Sequence, residues 1–186
     1  MKIPIKIEEL VYNFIHSHYD YADEVLLTNY FHADWEADIL IIDGKGHSHE
    51  IEIKLSKADF KNDFKKHFTH PHTGEKFLKH DKICCGDYVC NRFSFLLPMG
   101  MISHEDIPEH CGIIEFYHDT DNWETHFYNV REPKMVHEDP YWDLVDKDLF
   151  IRKLAQNLVM RKFELKGRGE EIIFPNPMEL KAVRKK

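Results

Sequence analysis

No apolar run in this 186-residue chain approaches the ~20 residues that a helix needs to cross a bilayer, so no helical membrane anchor is expected. The opening Met1-Lys2-Ile3-Pro4 has no hydrophobic export stretch, and the expected location is the cytoplasm. Cysteine is scarce. Cys84, Cys85, Cys90 and Cys111 form no Cys-x-x-Cys pair, so reduced thiols in strands are expected. The segment His72-Thr73-Gly74-Glu75-Lys76 resembles a zinc-finger linker, but no finger cysteines surround it. No internal repeat or low-complexity linker interrupts the chain, whose length suits one compact domain. Positive charge is in deficit: the formal net charge of −8 argues against a general nucleic-acid coating protein.

What is present describes an ordinary globule. Hydrophobic residues make up 42% and charged residues 31% of the chain, enough apolar content to fold. Histidine is abundant, at 14 residues. His67, His70 and His72 lie close together, but neither Cys-x-x-Cys nor His-Glu-x-x-His joins them, so a solvated loop is expected there. A histidine-based metal sensor would rest on composition alone. The charge is uneven. Lys57, Lys61, Lys65, Lys66, Lys76, Lys79 and Lys82 make 54–82 basic, and the tail ends in Arg184-Lys185-Lys186. Such strips can hold a phosphate backbone or simply solvate a helix face.

Periodicity outlines the elements. Ile7, Leu10, Val11, Phe14 and Ile15 form one stripe of a helix over 6–18. Residues 24–31 read as a strand. Residues 37–43 and 47–55 read as a hairpin about Gly44-Lys45-Gly46. Ser56 can cap the next helix, with Asp59 three positions on, and Phe60, Phe64 and Phe68 give it an apolar stripe. A further helix is expected around 75–82, strands at 93–97, 112–117 and 124–130, and a long helix over 141–165. The order predicts an α/β domain on a mixed sheet.

The chemistry concentrates in 35–59. A three-residue loop centred on Lys45 sets Ile42 opposite Ser48, Leu40 opposite Glu50 and Asp38 opposite Glu52. Alternation then puts Asp38, Glu50, Glu52 and Lys54 on one face, with Ile51, Ile53 and Leu55 in the core behind. A two-residue turn at Asp43-Gly44 would instead set Asp38 against His49 and move the acids to opposite faces. Facing carboxylates lie with Cβ atoms ~5 Å apart and repel unless a cation sits between them. Hard divalent ions such as Mg²⁺ favour such oxygens. A lysine beside them could orient the attacking water or meet charge developing on a phosphate. The bland alternative is a hairpin with charges on its wet face.

Asp38 followed by Glu52-x-Lys54 resembles the PD-(D/E)xK nuclease pattern, with Ala37 in place of the proline. The run Glu52-Ile53-Lys54-Leu55-Ser56-Lys57-Ala58-Asp59-Phe60, with Asp63 following, is similar to the MmcB-type DNA-repair family and related phage proteins. Asn91-Arg92-Phe93, Leu97-Pro98, Ile107-Pro108 and Gly112-Ile113-Ile114 extend the likeness, which spans roughly 24–117. The resemblance implies a restriction-endonuclease-like αβββαβ core with a mixed central sheet and an added C-terminal helix, with the core over 1–140 and the helix and basic tail over 141–186. It implies that Asp38, Glu52 and the Ile53 carbonyl bind Mg²⁺ or Mn²⁺ and that Lys54 is catalytic. Superfamily members often add a glutamate from the first helix. Glu8 is the candidate, although an acid there also complements the helix dipole. Lys57 and Lys61 are candidate DNA phosphate contacts or solvated surface charges. The expected activity is metal-dependent DNA hydrolysis in repair or phage DNA metabolism. The alternative is a non-catalytic DNA- or protein-binding module that keeps the fold.

Overall fold

The computed structural model describes residues 5–18, 24–32, 35–70 and 72–155. Contacts divide the chain into two compact units, Met1–Val145 and Asp146–Lys186. The first is an α/β unit on a mixed sheet. Helix α1 (Ile7–His18) has Leu10 and Phe14 buried one turn apart, as the apolar stripe requires. Strands β1 (Val25–His32), β2 (Trp35–Ile42) and β3 (Ser48–Ile53) follow as an antiparallel meander. Then come α2 (Lys57–Asp63), the short strands β4 (His67–Thr69) and β5 (Lys76–Leu78), and α3 (Lys79–Cys85). Strands β6 (Arg92–Pro98), β7 (Gly112–Asp119) and β8 (Glu124–Arg131) complete the sheet. Its order is β1-β2-β3-β6-β7-β8, with β3-β6 and β6-β7 parallel and the other pairs antiparallel.

The hairpin takes the three-residue loop. Ile42 pairs with Ser48 and Leu40 with Glu50. Asp43 Oδ1 accepts the N–H groups of Lys45 and His47 at 2.9 Å each. Gly46 closes the loop at φ +87°, a conformation that glycine adopts without a Cβ penalty. This register gives each face of β3 one job. Ile51 and Ile53 join Leu10, Phe14, Ile39 and Leu96 in one apolar cluster. On the other face, Phe60, Ile83, Tyr88, Phe93 and Phe95 form a second cluster, and Glu50 and Glu52 are buried on that side.

Four expectations change. Helix α2 is capped as expected, Ser56 Oγ accepting the Asp59 N–H at 3.1 Å, but it ends at Asp63. Phe68 reaches the core from β4 instead. The helix expected over 75–82 begins only at Lys79, because Lys76, Phe77 and Leu78 pair with Thr69, Phe68 and His67. That pairing also turns the expected histidine loop into a hairpin, so tertiary contact overrides local propensity. The long helix expected from Tyr141 is interrupted. A short α4 (Tyr141–Leu144) ends at Val145, which is extended. Within the second unit a new helix covers 147–155, and the Asp146 carboxylate caps it by accepting the Leu149 N–H at 2.9 Å. The remainder of that expected helix and the basic tail lie outside the described residues.

Candidate functional site

The site forms where β2 and β3 part. Their pairing runs from Ile42↔Ser48 to Ile39↔Ile51. One step further, Asp38 Oδ2 accepts the Ile53 N–H at 2.7 Å. The other edge of β3 stays in the sheet, Lys54 N–H donating to the Leu96 carbonyl at 3.0 Å. A cavity of about 860 Å³ opens at the parting, lined by Asp38, Glu52, Ile53, Lys54, Lys65 and Lys66 among others.

Behind it lies a buried charge network. Glu52 Oε2 accepts from Lys54 Nζ at 2.8 Å, and Glu52 Oε1 from Lys79 Nζ at 2.6 Å. Lys66 Nζ reaches both oxygens, at 3.2 and 3.3 Å. Lys79, with no side-chain exposure, also donates to Glu50 Oε1 at 2.6 Å. Tyr88 Oη donates to Glu50 Oε2 at 2.8 Å. Asp63, at the end of α2, sits beside the Lys54 and Lys66 ammonium groups at 2.9 and 2.7 Å. Its other oxygen contacts His80 Nε2 at 2.8 Å. Buried carboxylates are tolerable only when compensated in this way.

The titration behaviour follows. Burial and the adjacent Glu52 charge push the Asp38 carboxyl up to about 6, against the opposing pull of the Ile53 N–H, Lys54 and Lys66. Burial works to lower the Lys54 and Lys79 pKa values, but the neighbouring carboxylates outweigh it and hold both ammonium groups above the usual range. Burial would raise Asp63, yet the contact with His80 and the lysine charges hold it well below the ordinary carboxylate range.

The structure brings Asp38, Glu52, Ile53 and Lys54 together. Glu8 is exposed on α1 and does not line the cavity, where Ile7 stands instead. Lys57 and Lys61 are exposed on α2 but do not line the cavity either. Sequence reading placed Glu50 on the correct face without a partner. It left Lys66 and Lys79 in a basic stretch open to either phosphate contact or solvation, and it gave His80 and Tyr88 no part. Asp63 had a signal, its place just after the Glu-x-Lys motif.

No family model matches the chain, and no curated protein matches it. Among solved structures, the chain is similar to the SPO1766 protein of unknown function from Silicibacter pomeroyi. The TM-score is 0.50 and the identity 19%, over 87% of this chain and 89% of that one. At that identity the likeness concerns the fold alone.

Proposed function

We propose that this chain is a Mg²⁺- or Mn²⁺-dependent deoxyribonuclease with a restriction-endonuclease-like core. One observation carries the reading: Asp38, Glu52 and Lys54 meet in a single cleft at the point where β2 and β3 separate. The residues fit a hard divalent cation. Two carboxylates line the same cavity. The N–H and C=O of one strand residue point to the same edge, so the Ile53 carbonyl shares the side on which its N–H meets Asp38. Burial and the Glu52 charge raise the Asp38 carboxyl, and a bound cation would offset both. Asp38, Glu52 and the Ile53 carbonyl would hold the ion, which when bound supplies Lewis-acid polarisation of a phosphodiester.

The chain's own residues do the rest. Lys54, kept charged by Glu52 and Asp63, orients Glu52 and presents a fixed cation to charge developing on phosphate. Burial costs that cation mobility and gives it preorganisation. Lys65 is exposed and lines the same cleft, where it can meet the DNA backbone. Incubation with single-stranded, duplex, nicked and branched DNA, with Mn²⁺ or with chelator, tests the reading. Cleavage that requires metal and is absent from Asp38→Asn supports it. No cleavage of any substrate by the folded protein overturns it.

One observation favours a second reading, a non-catalytic binding module on the same fold. Both Glu52 oxygens already accept from lysines, so the carboxylate is neutralised without metal. DNA binding in Ca²⁺ with no cleavage in Mn²⁺ is the result that reading requires.

A further inference from the structure

A second cluster lies on the far side of Asp63. His80 is on α3, and His110 and Cys111 sit just before β7. One ligand atom from each of the three lies within 4.8 Å of the others. His80 and Cys111 are buried, at 7% and 0% exposure. Among the described residues, His80 Nδ1 and His110 Nε2 are both buried atoms without a hydrogen-bond partner. Two unpaired buried imidazole nitrogens beside a buried thiol carry a desolvation cost that no described residue offsets by a hydrogen bond. A metal ion removes that cost by accepting both lone pairs.

The chemistry of the donors selects the ion. Two imidazoles and one thiolate are borderline-soft ligands, suited to Zn²⁺ and poorly matched to Mg²⁺ or Mn²⁺. His80 also has the outer partner that metal-bound histidines keep. Its Nε2 contacts Asp63 Oδ2 at 2.8 Å, which leaves Nδ1 facing away from the carboxylate and orients the ring. We propose that His80, His110 and Cys111 form a Zn²⁺-class structural metal site, with Asp63 orienting His80. Because Asp63 also contacts Lys54 and Lys66, metal at this cluster would fix the wall of the cleft. The site stands on its own contacts and does not depend on the nuclease reading.

The test uses the full chain, purified without a histidine tag and stripped with chelator. Titration with Co²⁺ is expected to saturate at one equivalent and to give a thiolate-to-cobalt charge-transfer band. Zn²⁺ should displace the Co²⁺ and raise the melting temperature. Cys111→Ser is expected to lose the band, and His110→Ala to lose tight binding. Asp63→Asn should weaken Zn²⁺ about 10- to 100-fold, the usual cost of losing an outer partner. Far-UV circular dichroism checks that each variant folds, and His110→Ala serves where Cys111→Ser does not. Absence of a thiolate band in the wild type overturns the proposal. So does a band that survives Cys111→Ser, or binding without a band that is lost on substituting His67, His70 and His72.

Discussion

Asp38 Oδ2 accepts the backbone N–H of Ile53 at 2.7 Å, and this side chain stands where a carbonyl of β2 would stand if the ladder continued. The carboxylate therefore ends the strand pairing and opens the cleft at once. Burial and Glu52 both oppose its ionised form.

Asp38→Asn is expected to abolish cleavage while leaving apo stability unchanged or higher at neutral pH. Asparagine keeps an oxygen for the Ile53 N–H and removes the charge. The folded-state pKa of about 6 lies above the ordinary value of ~3.9, so the folded protein binds this proton more tightly than the unfolded chain. Ionising Asp38 therefore costs stability as pH rises from ~4 to ~6, by about 3 kcal/mol at full effect. Melts in chelator should show the variant gaining most above pH 6 and the advantage closing near pH 4. A large loss of stability at pH 8 would make Asp38 a structural acceptor instead.

Lys54→Ala should lose about 10²–10³ in single-turnover cleavage rate. It should also destabilise, by ~3–5 kcal/mol, because Glu52 and Asp63 lose a buried cation. The rate is therefore measured at a temperature where circular dichroism shows a folded variant. DNA affinity in Ca²⁺ is expected to persist. Wild-type cleavage by Lys54→Ala would remove this residue from the chemistry.

Lys79→Met isolates the structural part of the network. Lys79 bridges Glu50 and Glu52 with no side-chain exposure, so its loss is expected to cost ~3–5 kcal/mol. Adding Glu50→Gln should recover part of that cost, with a coupling of roughly 0.5–3 kcal/mol. Urea melts of the two single variants and the double variant read it directly. Additive effects would mean that the two side chains are not energetically linked.

Salt dependence tests whether the proposed DNA contact runs through the cleft. Each lysine that meets a phosphate adds about 0.9 to the slope of log affinity against log salt. Lys65→Ala, at the cleft, is expected to lower the slope by that amount. The Lys57→Ala and Lys61→Ala slopes show whether the track continues along α2. An unchanged slope for Lys65→Ala would exclude backbone contact at the cleft.

The central hairpin was readable because its signals are local. The loop about Lys45 and the alternation of Glu50, Ile51, Glu52, Ile53 and Lys54 depend on a period of two and on a glycine-flanked turn. The Ser56 cap was legible for the same reason. By contrast, Lys76, Phe77 and Leu78 read as helix, and only their pairing with His67, Phe68 and Thr69 makes them a strand. Tyr141 began an apolar helical pattern whose interruption at Val145 goes with the cap at Asp146.

From sequence alone came the mixed α/β character and the alternation that puts Glu50, Glu52 and Lys54 on one face of β3, while the choice between a three-residue and a two-residue turn, and with it the register, was settled by the structure. The first two follow from patterns a few residues long, in which backbone geometry dictates where each side chain points. Tertiary structure alone decided which cations neutralise the buried acids. Lys79 meets Glu50 and Glu52, Asp63 gathers Lys54, Lys66 and His80, and His80 comes to lie beside His110 and Cys111. Apart from that of Asp63 with Lys66, each of these pairings joins different parts of the fold. Charges buried away from water interact strongly only over a few ångströms, so their pairing is set by how the helices pack on the sheet, which no local spacing encodes.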